Sequence, residues 1–226
     1  MGRFGVADDV KRALDELPLH TRQFADMFRK HGSKQGRSRS DITQTDVDAV
    51  PDDLRKGWTG KSPRHVYQDG KGRRQHPARY LDENYIAAHK AKFADGGTRF
   101  YRSESFDRYG PGNGGTTFVV PTSEVDKILE EVGNNPRELG RRLGLGENFF
   151  VDKNGDAVPV TRADFSPTDM ALGDARMPDG NEGGANDYWM PGGYLPDGTA
   201  EAVVNVDKGD GRGDFQPFKF TDLPTR

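Results

Sequence analysis

The sequence predicts an α+β protein. A basic helical and linker region over residues 1–79 precedes, over residues 80–226, a small mixed sheet with two helices and long glycine-rich loops. Three observations predict this. Apolar residues recur at helical spacing in the front of the chain, while short strand-like runs begin after residue 97. Glycine clusters with Asn, Asp and Pro in the back half, which is the chemistry of turns and loops. Charge divides along the same line: residues 1–100 hold 20 Lys/Arg against 14 Asp/Glu and all five histidines, and residues 101–226 hold 13 against 22. Such asymmetry separates regions with different partners, or two surfaces that attract each other.

Each front element has its own signal. Val6, Val10, Leu14 and Leu17 recur every three to four positions, and Pro18 closes that helix. Thr21 caps a second helix with Phe24, Met27 and Phe28 on one face, ended by Gly32. Residues 33–79 are polar and rich in breakers, which reads as linker or as a partly disordered segment that orders on binding, with one helical turn over 51–57. Helical spacing returns over 80–93, where Leu81, Tyr85, Ile86, His89 and Phe93 share a side.

Behind it, Thr98–Arg102 reads as a strand, 106–115 as a loop, and Thr116–Val120 as a second strand stopped by Pro121. Thr122 or Ser123 is the expected N-cap of a helix with Val125, Ile128, Leu129 and Val132 on one face and Gly133 at its end. Asn135 caps, and Pro136 opens, a shorter helix bearing Leu139 and Leu143. Asn154-Gly155 predicts a hairpin turn between strands at 148–151 and 157–161. Residues 166–199 read as loop, with Tyr188–Met190 as one short strand inside them; strands at Glu201–Val206 and Phe215–Phe220 follow.

Composition narrows the functional classes. Only 32% of residues are hydrophobic, and mean hydropathy is −0.88, so the core is modest. No apolar run approaches the roughly 18 residues of a membrane span. The N-terminal stretch lacks the apolar centre of a signal peptide, which leaves a cytoplasmic protein or one delivered into target cells by a secretion system. With no cysteine, disulfides, thiolate metal sites and a cysteine nucleophile are excluded. The histidines lack metal-ligand spacing, and no metal is expected.

Three groups of residues can carry chemistry. Arg102, and Arg108 in the sequence Asp107-Arg108-Tyr109-Gly110, can grip a phosphate whose oxygens backbone amides also approach; the alternative for Arg108 is a surface ion pair with Asp107 or Glu104. The run from Gly180 to Gly193 is dense in glycine, amide and aromatic residues. Tyr188, Trp189 and Tyr194 can stack on a planar ring while Asn186 fixes its polar edge, or the loop can plug a small core. Glu201 opens an apolar strand, where a carboxylate can hold a ribose hydroxyl or stabilise an oxocarbenium-like centre; otherwise it guards a strand edge.

The order FDRYG, GNGGTTFVVP, two short helices, then NEGGAND-YWMPGGYLPDGTAEAVVNV resembles C-terminal domains of bacterial polymorphic toxins over about residues 98–207. It is similar in particular to NAD glycohydrolases of the tuberculosis necrotizing toxin type, which implies an ADP-ribosyltransferase-like fold with NAD as substrate. The resemblance implies that Arg108 and Arg102 hold the pyrophosphate, that Tyr109, Gly110, Asn186, Tyr188, Trp189, Gly192 and Gly193 form the NAD-binding loops, and that Glu201 is catalytic. Glu201 stands where that family often has Gln, which favours a transferase over a hydrolase, and no histidine follows residue 89. An immunity protein and a macromolecular acceptor of ADP-ribose are the implied partners. Two other classes stay open. One is a metal-independent ribonuclease binding nucleic acid through basic residues 61–79 with His65, His76 and His89. The other is a non-enzymatic binding or structural module.

Overall fold

The computed structural model describes residues 57–112, 115–173, 175–206 and 211–224. The helices expected over 6–17 and 21–32, and all but the last residue of the turn over 51–57, lie outside these residues. The chain is α+β. Among the described residues five strands, β1 (Gly97–Arg102), β2 (Thr116–Pro121), β3 (Val160–Phe165), β4 (Ala202–Asn205) and β5 (Asp214–Phe218), form one sheet in the order β4-β2-β1-β3-β5. Every pairing is antiparallel, so the expected mixed sheet is corrected. No described connection carries the chain back to lie parallel to a strand it has left.

Among the described residues six α-helices accompany the sheet: α1 (Pro63–Gln68), α2 (Glu83–Ala91), α3 (Ser103–Tyr109), α4 (Thr122–Val132), α5 (Pro136–Arg142) and α6 (Pro167–Leu172). The apolar stripe of α4 forms as its spacing dictates: Val125, Ile128, Leu129 and Val132 are all buried, and pack with Leu139 of α5, Phe100, Phe150 and Val160 on one side of the sheet. Each such fully buried side chain stabilises the fold by about 1.5–3 kcal/mol. Phe93, Met170 and Tyr194 gather with Val119, Ala163, Phe165 and Val204 in a second cluster.

Residues 57–79, expected to be linker, are built into the molecule. Ser62 caps α1, with Pro63 in its first turn. Val66 is fully buried and joins Tyr80 and Leu81 in a third cluster against Phe118, Trp189 and Val203. Trp58 bridges to Leu81 and stacks on Tyr80 with ring centroids 5.1 Å apart. The few apolar residues of this polar stretch are thus the ones that dock it, and residue 79/80 is no break in the packing.

Four local expectations change. Residues 106–109 belong to α3 rather than to a loop, and Gly110, at φ 75°, ends it. The helix α4 starts after Pro121 without a side-chain cap; Thr122 Oγ1 instead lies 3.1 Å from Thr98 Oγ1. The expected hairpin reduces to a single bridge between Val151 and Ala157, because Asp152 draws the turn inward by accepting from Asn154 and Asp156 amides. Tyr188–Met190 is no strand, while α6 arises inside the expected loop from a Ser166/Asp169 capping box with Pro167 at its first position.

Candidate functional site

The ladder between β1 and β2 contains only two pairs, Gly97↔Pro121 and Thr98↔Val120. Beyond them the two strands part, and a cleft of about 750 Å³ opens. Its floor is Arg99 and Tyr101 from β1, facing Thr117 and Phe118 from β2. Side chains span the gap in place of backbone pairing. Arg99 Nη1 donates to the Phe118 carbonyl at 3.2 Å, and Tyr101 Oη reaches the Pro111 carbonyl at 2.8 Å and Thr117 Oγ1 at 2.6 Å. One wall comes from the end of α3, Tyr109 to Gly112, and the other from Gly184 and Asn186 to Tyr188.

A much smaller pocket of about 20 Å³ shares Arg99, Phe118, Asn186 and Tyr188 with the cleft and adds Trp189 and Glu201 to its lining. The Glu201 amide donates to the Gly193 carbonyl at 2.8 Å, so the residue is pinned where the loop becomes β4. Burial pushes its carboxyl up to about 8; the Arg99 charge opposes this and Glu182 adds to it. The group is therefore protonated at neutral pH. A cation arriving beside it would favour ionisation. Arg99 Nε is buried without a hydrogen-bond partner, although the guanidinium lines the cleft. A buried unsatisfied donor of this kind marks a strained or functional position. Guanidinium, buried carboxylic acid and aromatic wall together suit a ligand with an anionic group and a planar ring.

Among the residues expected from the sequence, Tyr109, Gly110, Asn186 and Tyr188 line the cleft. The Asn186 amide is already engaged at both ends, donating to the Gly144 carbonyl and accepting from the Tyr188 amide, each at 2.8 Å, so it positions Tyr188. Trp189 is buried and borders the small pocket. Arg102 and Arg108 do not reach the cleft. Arg102 pairs across from Val160 and alternation of side chains puts it on the other side of the pleat from Arg99 and Tyr101. Arg108 is 63% exposed on α3 and lies 3.7 Å from Glu104, one helical turn away. Gly192 and Gly193 are also displaced from the cleft. Their carbonyls accept from Tyr85 Oη at 3.0 Å and His89 Nε2 at 2.7 Å. A Cβ at Gly193, where φ is 78°, would fall 2.5 Å from that imidazole nitrogen, so these glycines permit close packing.

Sequence reasoning missed Arg99, Tyr101 and Phe118. A usable signal was present: in Thr-Arg-Phe-Tyr-Arg the apolar Phe100 belongs to the core, which turns Arg99 and Tyr101 to the opposite side.

The basic segment is largely engaged within the protein. Lys61 pairs with Asp69 at 2.8 Å, Lys71 donates to the Ala185 carbonyl and Arg74 to the Gly180 carbonyl. His65 contacts Ser62, and the His76 ring accepts from the Ala78 amide. His89 is buried, which pushes it down to about 4 and leaves it neutral. Among the described residues no group of three or more His, Asp or Glu is arranged to hold a metal ion, and no helix is long and apolar enough to cross a membrane. No protein-family model matches the chain, and no curated protein is significantly similar to it.

Proposed function

We propose that the protein is an NAD-consuming enzyme of toxin or effector type that breaks the bond between nicotinamide and ribose. The observation that carries this reading is a small pocket lined by both Arg99 and Glu201, which shares Arg99, Phe118, Asn186 and Tyr188 with the aromatic cleft opened where β1 and β2 separate. The order of FDRYG, PGG and Glu201 along the chain supports the same reading, and the ADP-ribosyltransferase-like fold belongs to the same proposal. A volume of about 750 Å³ suits a dinucleotide. In this reading Arg99 pairs with phosphate, Tyr109 and Tyr188 flank a ring, and Glu201 ionises as the ribose becomes cationic. Glu201 releases its proton to solvent, and the bonding electrons leave with neutral nicotinamide. Water or an acceptor nucleophile adds to the sugar carbon and passes its own proton to the Glu201 carboxylate, so that one proton is released per turnover. An immunity protein covering the cleft and a macromolecular acceptor of ADP-ribose belong to the same proposal.

The test is nicotinamide release from NAD by the full chain, with cell extract present to supply acceptors. Glu201→Gln should lower turnover by about 10²–10³-fold. Arg99→Ala should lower kcat/KM by at least about 10-fold, while Arg102→Ala and Arg108→Ala stay within about twofold of the parent. Absence of release from folded parent protein sinks the reading. Loss on Arg108→Ala equal to that on Arg99→Ala would move the phosphate site to α3.

A further inference from the structure

The wall of the cleft formed by residues 184–188 is a loop that contains no strand or helix of its own. Its preceding turn is held from within: the Glu182 carboxylate accepts from the Asp179 amide at 3.0 Å and the Gly180 amide at 2.8 Å. Its position relative to the rest of the molecule is set by the Asn186 bond to the Gly144 carbonyl and by residues more than 100 positions earlier. Lys71 Nζ donates to the Ala185 carbonyl at 2.8 Å, the Gly72 amide donates to Asn181 Oδ1 at 2.7 Å, and Asn181 Nδ2 donates to the Arg74 carbonyl at 2.9 Å. Arg74 Nη1 donates to the Gly180 carbonyl at 2.8 Å, while its guanidinium lies 4.1 Å from the Trp189 ring centroid. The guanidinium thus sits against both ends of the loop at once. Gly180, at φ 80°, leaves room for this: a Cβ there would fall 2.5 Å from Arg74 Nη1 and 2.6 Å from the indole.

We propose that residues 71–74 are a strap that sets the cleft wall, with Arg74 as a positioning residue for a site it does not itself line. A planar cation can stack on the indole and donate in its own plane at the same time, which a lysine cannot do. The strap lies outside residues 98–207, where the resemblance is found, so the site is incomplete without the front segment. The proposal concerns the geometry of the wall; only its kinetic arm rests on the NAD reading.

Hydrogen exchange on the full chain tests it, with Arg74→Gln and Gly180→Ala as independent variants from the two sides of the contact. Exchange over residues 180–188 should rise about 10-fold while residues 122–132 of α4 stay unchanged. Arg74→Lys should fall between Arg74→Gln and the parent. In a Trp58→Phe background, Trp189 is the remaining indole and should become more accessible to acrylamide in Arg74→Gln. Unchanged exchange over 180–188, or equal acceleration in α4, overturns the strap. Where the parent releases nicotinamide, KM for NAD should rise about 10-fold in Arg74→Gln with kcat within about threefold. An unchanged KM beside faster loop exchange overturns the link to the site. A parent that releases none fails the NAD reading, and the exchange result then decides the strap on its own.

Discussion

Two buried titratable residues give opposite pH dependences. Glu201 is raised from 4.5 to about 8, so between those values the native state keeps a proton that the unfolded chain has released, and stability falls as pH rises. His89 is lowered from 6.5 to about 4, so between those values the unfolded chain takes up a proton that the native state refuses, and stability falls as pH drops. The two slopes oppose each other between about 4.5 and 6.5, and above that range only Glu201 acts. Glu201→Gln should therefore gain in Tm relative to the parent as pH is raised from 4.5 to 8.5, by the equivalent of a few kcal/mol on the order expected for such shifts. His89→Gln, whose amide can donate to the same Gly193 carbonyl, should flatten the acid side instead. Melting curves at several pH values check both, and a Glu201→Gln difference that does not vary with pH would remove the buried acid from the site. The acid at position 201 was legible in the sequence as a candidate. Its protonation was not, because burial comes from Arg99, Phe118 and Trp189, which lie on other segments.

Helices are where local chemistry spoke most reliably, and their caps show its limit. Asn135 accepts from the Arg137 and Glu138 amides, with Pro136 at the first position, as its sequence implies. Asn135→Ala should cost about 1 kcal/mol. Ser123 lies inside α4 with no capping bond, so Ser123→Ala should stay within about 0.5 kcal/mol. Denaturant midpoints of the two variants separate these outcomes; equal losses would restore a cap at Ser123. Strands were found in place but their partners were not. Thr98–Arg102 and Thr116–Val120 read as strands from β-branched and aromatic content, yet nothing local says that they pair for two residues and then part. The cleft exists because of that separation, and Arg99, not Arg102 or Arg108, lines it.

At the scale of the whole molecule, the front segment and the sheet should behave as one unit from residue 57 onward. Trp58 stacks on Tyr80, and Tyr80, Val66 and Leu81 share a cluster with Trp189 and Val203. Removing the segment would expose these apolar faces together. Single-tryptophan variants, Trp58→Phe and Trp189→Phe, should therefore show coincident urea transitions for the reporter that remains. Separate midpoints would instead restore a boundary near residue 79. The excess of Lys and Arg in residues 1–100 and of Asp and Glu after them fits a reading in which some of that charge is intramolecular, as Arg74 shows through its attraction to Asp179 and Glu182.

The sequence by itself determined the α+β class, the apolar faces of α2, α4 and α5, and the caps at Asn135 and Gly133; it also named Tyr109, Asn186 and Tyr188, which line the cleft, and Glu201, which lines the small pocket. These follow from spacing and from residues acting on their own neighbours. The tertiary structure alone decided the all-antiparallel order of the sheet, the parting of β1 and β2, the lining of the cleft by Arg99 and not by Arg102 or Arg108, and the docking of residues 57–81. Each of those depends on contacts between distant segments, such as Arg74 against Trp189 or Tyr85 against Gly192. Side-chain types along a chain state what a residue can bind. Only packing states which of several equally suited residues is brought to the place where binding can occur.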